Sequence, residues 1–204
     1  MDNSNMDAPN MDASNRGTPG AYLLRTARLG MRRWKDSDLD VFVEMNRDPG
    51  VRKFFPKLLT PTESTESISR MEAFFDENGF TFYAVDVVDA VDGPAGGMFI
   101  GFVGLCRPNF DAWFTPCVEI GWRLRREAWG LGYATEAAKE CLRFGFDELG
   151  LERIYSFTAL PNLRSARVME KIGMRMVGEF DHPRIEEGNW LRRHVLYEVS
   201  GSRL

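Results

Sequence analysis

The sequence of 204 residues is long enough for one domain and a short tail, and its 44% hydrophobic share is sufficient for a sizeable core. A formal net charge of −4 disfavours a protein that coats nucleic acid, although a local basic patch is compatible with this charge. Three cysteines without C-x-x-C spacing and only two histidines argue against a disulfide framework, a zinc site or a His-rich metal site.

The N-terminal segment, residues 1–20, is rich in Asn, Asp, Ser and Met. It has too little apolar surface to offset its chain entropy, which predicts a disordered low-complexity tail followed by a single domain over 21–204. At the start of that domain, Leu23–Trp34 has a strand-like pattern. N-cap candidates at 36–38 then predict a short helix over 37–47.

The next elements are marked by helix caps and a hairpin pattern. A helix is predicted to begin near Thr60 and to end at Asn78-Gly79. Phe80–Val88 and Met98–Leu105 predict two antiparallel strands, joined by a turn rich in Asp, Gly and Pro. Cys117–Leu124 predicts a further strand, which leads into a glycine-containing loop.

The second half alternates between helices and strands. An apolar stripe predicts a helix over 132–149. A second helix is predicted to follow Pro161-Asn162 and to stop at Gly173, with Leu163, Ala166, Met169 and Ile172 facing inward. Strands are predicted over 152–158, near 174–179 and near 192–199. This order favours a mixed sheet flanked by helices over an all-parallel doubly wound fold.

The loop Gly130-Leu131-Gly132 stands at a helix N-terminus, where unpaired N–H groups favour an anion. A dinucleotide fingerprint would need glycine at Thr135 and an acidic residue at the end of the next strand, whereas Glu152 begins it. The Gly-Lys-Ser/Thr ending of a P-loop is absent. A tight turn that merely starts a helix is the structural alternative.

Several ordered blocks surround this loop. They are Glu119-Ile120-Gly121-Trp122, Trp129 to Ala137, Gly150 to Ile154, Asn162 to Ser165, and Val168 to Met174. Together they resemble the GCN5-related N-acetyltransferases (GNAT), in the branch that includes the ribosomal-protein N-terminal acetyltransferases. Trp129 departs from the Gln or Arg frequent in the family, and Met174 from a more typical aromatic residue. The resemblance implies the GNAT acyl-CoA N-acyltransferase fold, a mixed and mostly antiparallel sheet flanked by helices, with acetyl-CoA as cosubstrate and no metal.

The resemblance also implies where the coenzyme binds. It would lie between two diverging parallel strands, with its pantetheine and acetyl groups on the main chain of Trp122 and Leu124. Asn162 would contact the coenzyme as well as cap its helix. Arg125 and Arg126 would either meet phosphates or form a solvated charge pair. The pyrophosphate would rest on a loop whose members are Gly130, Leu131, Gly132, Tyr133 and Ala134, with Thr135 adding a hydroxyl.

The resemblance further implies the catalytic groups. Glu119 would take the proton of the amine directly or through water, or else orient the substrate, and Ser165 would return a proton to the departing thiolate. Tyr155 is a weaker candidate acid. Other candidate bases lie near the last strands, namely Glu179, Asp181, Glu186 and Glu187.

The expected function is an acetyl-CoA-dependent N-acetyltransferase that moves the acetyl group directly to a primary amine of a protein N-terminus or a small molecule. The alternative is a noncatalytic acyl-CoA-binding regulatory module on the same fold. A covalent acetyl-cysteine route is disfavoured, because Cys141 falls on a buried stripe and Cys106 and Cys117 fall at strand ends. We expect a cytoplasmic monomer or homodimer that binds acetyl-CoA and an amine acceptor, but neither nucleic acid nor a membrane.

Overall fold

The computed structural model describes residues 21–88 and 97–201, and these contain eight strands and four helices. The strands are β1 (Leu24–Arg25), β2 (Leu29–Arg32), β3 (Phe82–Val87), β4 (Met98–Cys106), β5 (Glu119–Leu124), β6 (Arg153–Ala159), β7 (Arg175–Asp181) and β8 (Arg193–Ser200). The helices are α1 (Leu39–Arg47), α2 (Pro61–Asn78), α3 (Tyr133–Asp147) and α4 (Leu163–Lys171).

The strands form one sheet in the order β1-β2-β3-β4-β5-β6-β8-β7. Neighbouring strands run antiparallel, except that β5 and β6 run parallel. This arrangement confirms the prediction of a mixed, mostly antiparallel sheet flanked by helices. It places the parallel pair in the middle of the sheet, and the glycine loop and α3 connect β5 to β6 in the chain.

Each face of the sheet is covered by helices, and β4 shows how its side chains divide between them. Phe102 packs with Trp34 and with Phe42 of α1, in a cluster that also contains α2 residues. The adjacent Val103 belongs to the main core with Cys141 of α3 and Met169 of α4. Because side chains alternate along a strand, neighbouring residues of β4 and β5 report on opposite faces.

Helix α2 shows the caps that its sequence predicts. The Thr60 hydroxyl accepts from the Glu63 N–H, and the Glu63 carboxylate accepts from the Thr60 N–H, so a capping box closes the first turn. Pro61 occupies the first helical position, and Gly79 ends the helix with φ of 77°. The signal at each end of the helix involves residues only a few positions apart, which explains why the sequence alone identifies both ends.

Two local predictions are wrong. The stretch 23–34 is not one strand but a pair of short antiparallel strands, with Leu24 opposite Met31. A turn without Gly or Pro reverses the chain, and the Thr26 hydroxyl stabilises it by accepting from the Leu29 N–H at 3.0 Å. Leu163 is 62% exposed rather than inward, because it is the first residue of α4 and lies beyond the helix's contact with the core.

The predicted tail, 1–20, and most of the predicted β3–β4 turn, 89–96, lie outside the described residues. In the described part of the chain no helix is both long and apolar enough to cross a membrane. Nor does any group of three or more potential metal ligands come together there.

Candidate functional site

The parallel neighbours β5 and β6 separate soon after they meet. Glu119 opposite Tyr155 is the register pair that joins them, and the Tyr155 N–H donates to the carbonyl of Val118 at 2.9 Å. One residue further on a side chain makes the contact, since the Ser156 hydroxyl donates to the carbonyl of Ile120 at 2.8 Å. The remaining edge of β5 therefore faces an opening in the sheet.

The main chain of β5 presents alternate residues to this opening. On its other edge the Arg125 N–H donates to the carbonyl of Ile100 in β4 at 2.9 Å. Bonded and non-bonded pairs alternate in an antiparallel ladder, so Arg123 also bonds toward β4. The peptide groups of Trp122 and Leu124 therefore lie on the edge of β5 that faces the opening. The Leu124 carbonyl already accepts a hydrogen bond from the Trp129 Nε1–H at 2.9 Å, which leaves the Leu124 N–H and both the N–H and the C=O of Trp122 for a ligand.

The loop after β5 turns at two glycines before α3. Gly130 and Gly132 have φ of 78° and 83°, in the left-handed region that residues with a side chain rarely adopt. The first helical bond runs from the Glu136 N–H to the Gly132 carbonyl at 3.0 Å, so the N–H groups of residues 133–135 have no acceptor within the helix. Side chains cap α2 and α4, whereas Gly132 has none to offer. This helix end fits an anion.

Arg28, which the sequence did not single out, supports this loop from the turn between β1 and β2. Its Nη1 donates to the carbonyl of Leu131 at 3.1 Å, and its Nε donates to the carboxylate of Glu136 at 2.7 Å. Its guanidinium also lies 4.7 Å from the centroid of the Tyr133 ring. The contacts span more than 100 positions of the chain, so no local pattern announces them.

The first turn of α4 borders the other side of the opening. Asn162 caps this helix: its Oδ1 accepts from the Ser165 N–H at 3.5 Å, and its Nδ2 donates to the Thr158 hydroxyl at 2.8 Å. The Arg164 guanidinium lies 5.0 Å from the centroid of the Trp129 ring, which brings α4 against the glycine loop. Through this contact the first turn of α4, which follows the Asn162 cap and contains Ser165, lies near the glycine loop.

Glu119 lies where β5 and β6 meet, and its side chain is on the face covered by α1 and α2. Its Oε1 is 3.6 Å from the position that a Cβ would take on Gly121. Burial raises the pKa of Glu119 to about 8, while a hydrogen bond from the Cys106 thiol at 3.7 Å acts in the opposite direction. A carboxylate of that pKa is a much stronger base than an ordinary glutamate.

The alternative bases have other surroundings. The carboxylates of Glu179 and Asp181 on β7 both pair with Arg193, at 2.8 and 3.2 Å. Glu186 and Glu187 are exposed in the loop before β8. None of the four shows the combination of burial and position at the β5–β6 opening that distinguishes Glu119.

The cysteine thiols are held in their protonated form. Burial is the main cause in each case: it raises the pKa of Cys117 to about 12 and those of Cys106 and Cys141 above the ordinary range. The nearby charge of Glu119 acts in the same direction on Cys106 and Cys117. Since the thiolate is the nucleophilic form, these surroundings disfavour a covalent acetyl-cysteine.

Arg125 and Arg126 both have carboxylate partners within the protein. Arg125 pairs with Glu127 at 2.9 Å, and Arg126 pairs with Asp48 at 2.6 Å. The second pair joins the segment between β5 and the glycine loop to the residues that follow α1. Both arginines therefore have a structural role that needs no phosphate.

Comparison with known proteins places this geometry in a wider context. Residues 28–175 match the family model described as the acetyltransferase (GNAT) domain. The chain is 32% identical over 152 residues to the uncharacterized protein YkkB of Bacillus subtilis, covering 74% of this chain and 84% of that protein. It is 30% identical over 178 residues to the FsC-acetyl coenzyme A-N(2)-transacetylase of Aspergillus fumigatus, covering 81% and 72%.

Solved structures share the fold. A GNAT-family acetyltransferase from Bacillus anthracis superposes with a TM-score of 0.71 at 24% identity, over 88% of this chain and 99% of that one. The spermidine N-acetyltransferase of Vibrio cholerae, solved with CoA and spermine, gives 0.66 at 18% identity, over 87% and 98%. The ribosomal-protein-S5-alanine acetyltransferase of Vibrio fischeri gives 0.66 at 20%, over 87% and 95%. At these identities the likeness concerns the fold alone.

Proposed function

Because the chain belongs to the GNAT family of acetyl-CoA-dependent acetyltransferases, we propose that it transfers the acetyl group directly to a primary amine at the β5–β6 opening. The observation that carries this proposal is the position of Glu119. Its partly buried carboxyl group, with a raised pKa, lies beside the β5 peptide groups that face the opening. A noncatalytic acyl-CoA-binding module would have no need of such a base.

In the proposed complex the coenzyme occupies the opening. The peptide groups of Trp122 and the N–H of Leu124 hold its pantetheine and acetyl groups in the place of a neighbouring strand, since the Leu124 carbonyl accepts from Trp129. The N–H groups of residues 130–134 bind the pyrophosphate, and the Thr135 hydroxyl adds a donor. Asn162 contacts the coenzyme from the α4 side while it caps that helix.

The proposed reaction follows from these positions. The Glu119 carboxylate accepts a proton from the ammonium form of the acceptor, directly or through a water molecule, and the free amine attacks the thioester carbon. A peptide N–H of β5 stabilises the oxyanion that forms. The carbon–sulfur bond then breaks. The Ser165 hydroxyl delivers a proton to the departing thiolate and takes up, directly or through water, the proton that the nitrogen loses as the neutral amide forms. The products are the amide and coenzyme A.

The acceptor could be a protein N-terminus or a small amine. The sequence blocks favour the branch that contains the ribosomal-protein N-terminal acetyltransferases, and one structural neighbour carries that activity in its name. Two other similar proteins bear the names FsC-acetyl coenzyme A-N(2)-transacetylase and spermidine N-acetyltransferase. We retain both acceptor classes here and propose that residues 21–204 form the single catalytic domain.

A thiol-release assay tests this function. Purified protein with acetyl-CoA and a panel of peptides and small amines is expected to release coenzyme A only when an acceptor is present. Direct transfer predicts that the intact mass of the protein stays unchanged after incubation with acetyl-CoA alone. Coenzyme binding without thiol release across the whole panel would instead favour the noncatalytic module. A stable gain of one acetyl group on a cysteine would overturn direct transfer.

Arg28→Ala is expected to weaken acetyl-CoA binding about 3–10-fold, because the glycine loop loses a hydrogen bond to Leu131 and the brace on Glu136. The effect should fall on the KM for acetyl-CoA and leave kcat nearly constant. Arg25→Ala is the matched control, since Arg25 stacks on Tyr22 on the same hairpin. Equal KM values for the two variants and the wild type would show that the loop needs no such support.

A further inference from the structure

Arg123 is a partly buried cation on the face of the sheet that α1 and α2 cover. Its Nη1 donates to the Oδ1 of Asn46 at 2.9 Å, and Asn46 is itself fully buried and bonded to Ser64. Its Nε is covered by protein and has no hydrogen-bond partner among the described residues. Burial lowers the pKa of Arg123 to about 9, and the charge of Arg52 acts in the same direction.

Arg52 is a buried cation close to the same aromatic side chain as Arg123. It is 7% exposed, and its Nε and Nη2 donate to the carbonyl of Lys57 at 3.0 and 2.8 Å. The guanidinium groups of Arg52 and Arg123 lie 4.4 and 4.2 Å from the centroid of the same ring, Phe55, which is 37% exposed. Two like charges therefore contact the same aromatic side chain.

Arg32, another buried arginine, differs from this pair because it has carboxylate partners. Arg32, whose side chain is 3% exposed, forms ion pairs with Asp38 and Asp86, each at 2.7 Å. Within residues 21–88 and 97–201, neither Arg52 nor Arg123 has a carboxylate within ion-pair distance. Removing a charge from water without a counter-ion is costly, and the charge of Arg52 adds to this cost for Arg123. The pair is thus a ready site for an anion.

The position of this pair relative to Glu119 suggests which molecule brings the anion. Arg123 lies opposite Phe102 and Glu119 opposite Cys106 in β4, and directly opposed residues share a face of the sheet. Gly121 lies between them, with a Glu119 oxygen 3.6 Å from its Cβ position and Arg123 about 7 Å further along the strand. The peptide groups assigned to the coenzyme face the β6 edge, and its phosphate donors follow the end of β5.

We propose that Arg123 and Arg52 bind an anionic group, above all a carboxylate, on the amine acceptor. The acceptor is then an amine of amino-acid size, with its carboxylate a few bonds from the reacting nitrogen and its chain across Gly121. This inference rests on the proposed function, since it assumes that the amine reaches Glu119. It also disfavours polyamines, whose further positive charges would meet two arginines.

Calorimetry on the protein saturated with coenzyme A tests the proposal. The probes are glycine, β-alanine and 4-aminobutyrate, each compared with its own carboxamide, and spermidine. At least one acid is expected to bind about tenfold or more tightly than its amide, because a charge-assisted bond to a guanidinium is lost in the amide. The affinity of spermidine should not exceed that of the amides. Acid-to-amide ratios near one for all three pairs would overturn the proposal on the wild-type protein alone.

Arg123→Gln adds a test that a general loss of structure would not satisfy, because it should change the acid-to-amide affinity ratio alone. The favoured acid-to-amide ratio should fall to about one, while the affinities for the amide and for coenzyme A stay close to wild type. Arg143→Gln, on the outer side of α3, is the control and should keep the ratio. Loss of coenzyme A affinity with an unchanged ratio would assign the anion to the coenzyme and overturn the proposal. Where Arg123→Gln does not fold, Arg52→Gln is expected to lower the same ratio.

The titrations and the thiol-release assay together separate this inference from the proposed function. Thiol release together with an acid-to-amide affinity ratio near one would contradict the anion site and leave the acetyltransferase proposal intact. An Arg123-dependent ratio without thiol release would support the anion site and contradict catalysis. Two peptides that differ only in aspartate or asparagine as the second residue complete the design. A preference for the acid that appears with these peptides, and with none of the three small pairs, would overturn the assignment to a small acceptor.

Discussion

Gly132→Val is expected to weaken acetyl-CoA binding by about 100-fold or more. Gly132 is the N-cap of α3 at φ of 83°, and valine would disturb both the backbone conformation and the approach of a phosphate to the first-turn N–H groups. Several charge-assisted hydrogen bonds would be lost together, and each contributes about 1.5–3 kcal/mol. Titration calorimetry with acetyl-CoA measures the change.

Gly150→Val is the control that separates two effects of Gly132→Val, the loss of phosphate binding and the strain of the backbone. Gly150 lies beyond the other end of α3 with φ of 64°, and no atom lies within 4 Å of the Cβ that a substitution would add. The left-handed conformation should cost each variant a similar stability of about 1–2 kcal/mol. Wild-type affinity in Gly150→Val and lost affinity in Gly132→Val is the expected result. Unchanged acetyl-CoA affinity in Gly132→Val would mean that the pyrophosphate binds elsewhere.

Glu119→Gln is expected to lower kcat by about 100- to 10,000-fold, the usual contribution of a positioned general base. Glutamine keeps the shape of the side chain but cannot take a proton, so the affinity for acetyl-CoA should stay the same. The pKa of about 8 also predicts the pH profile. Wild-type kcat should rise with pH, as the carboxyl group ionises, and level off above about 8, whereas the variant should lose this limb.

Glu179→Gln is the control for this prediction, because Glu179 is the alternative carboxylate that pairs with Arg193 on the adjacent strand. It should retain wild-type kcat and the wild-type pH profile. If kcat of the Glu119→Gln variant still rises with pH and levels off as in the wild type, Glu119 is not the base. If kcat stays constant while the acceptor KM rises, Glu119 only orients the substrate.

Much of the fold and half of the candidate site follow from local signals. The capping box at Thr60 and the cap at Asn162 each depend on residues within a few positions, so the sequence shows them directly. The glycine loop is equally local, because the positive φ of Gly130 and Gly132 restricts which residues can stand there. The order of blocks in the chain then predicts that the loop lies beside the parallel pair.

The remaining features depend on contacts between distant parts of the chain. Arg28 reaches Leu131 only because β2 and the start of α3 lie together, and Arg123 reaches Asn46 only because α1 covers β5. The sequence shows two ordinary arginines in these places. Burial and the lack of a counter-ion distinguish Arg123 from a solvated charge, and both properties exist only in the folded chain.

The raised pKa of Glu119 also affects the folding equilibrium. In the native protein burial moves this pKa from 4.5 to about 8, so between these values the folded chain binds more protons than the unfolded chain. The free energy of unfolding therefore falls, through this group, as the pH rises from about 4.5 to 8, and the loss is complete above that range. The ionised carboxylate that would make the protein a catalyst is thus the form that folding tolerates least, and Glu119→Gln should be the more stable protein in alkaline solution.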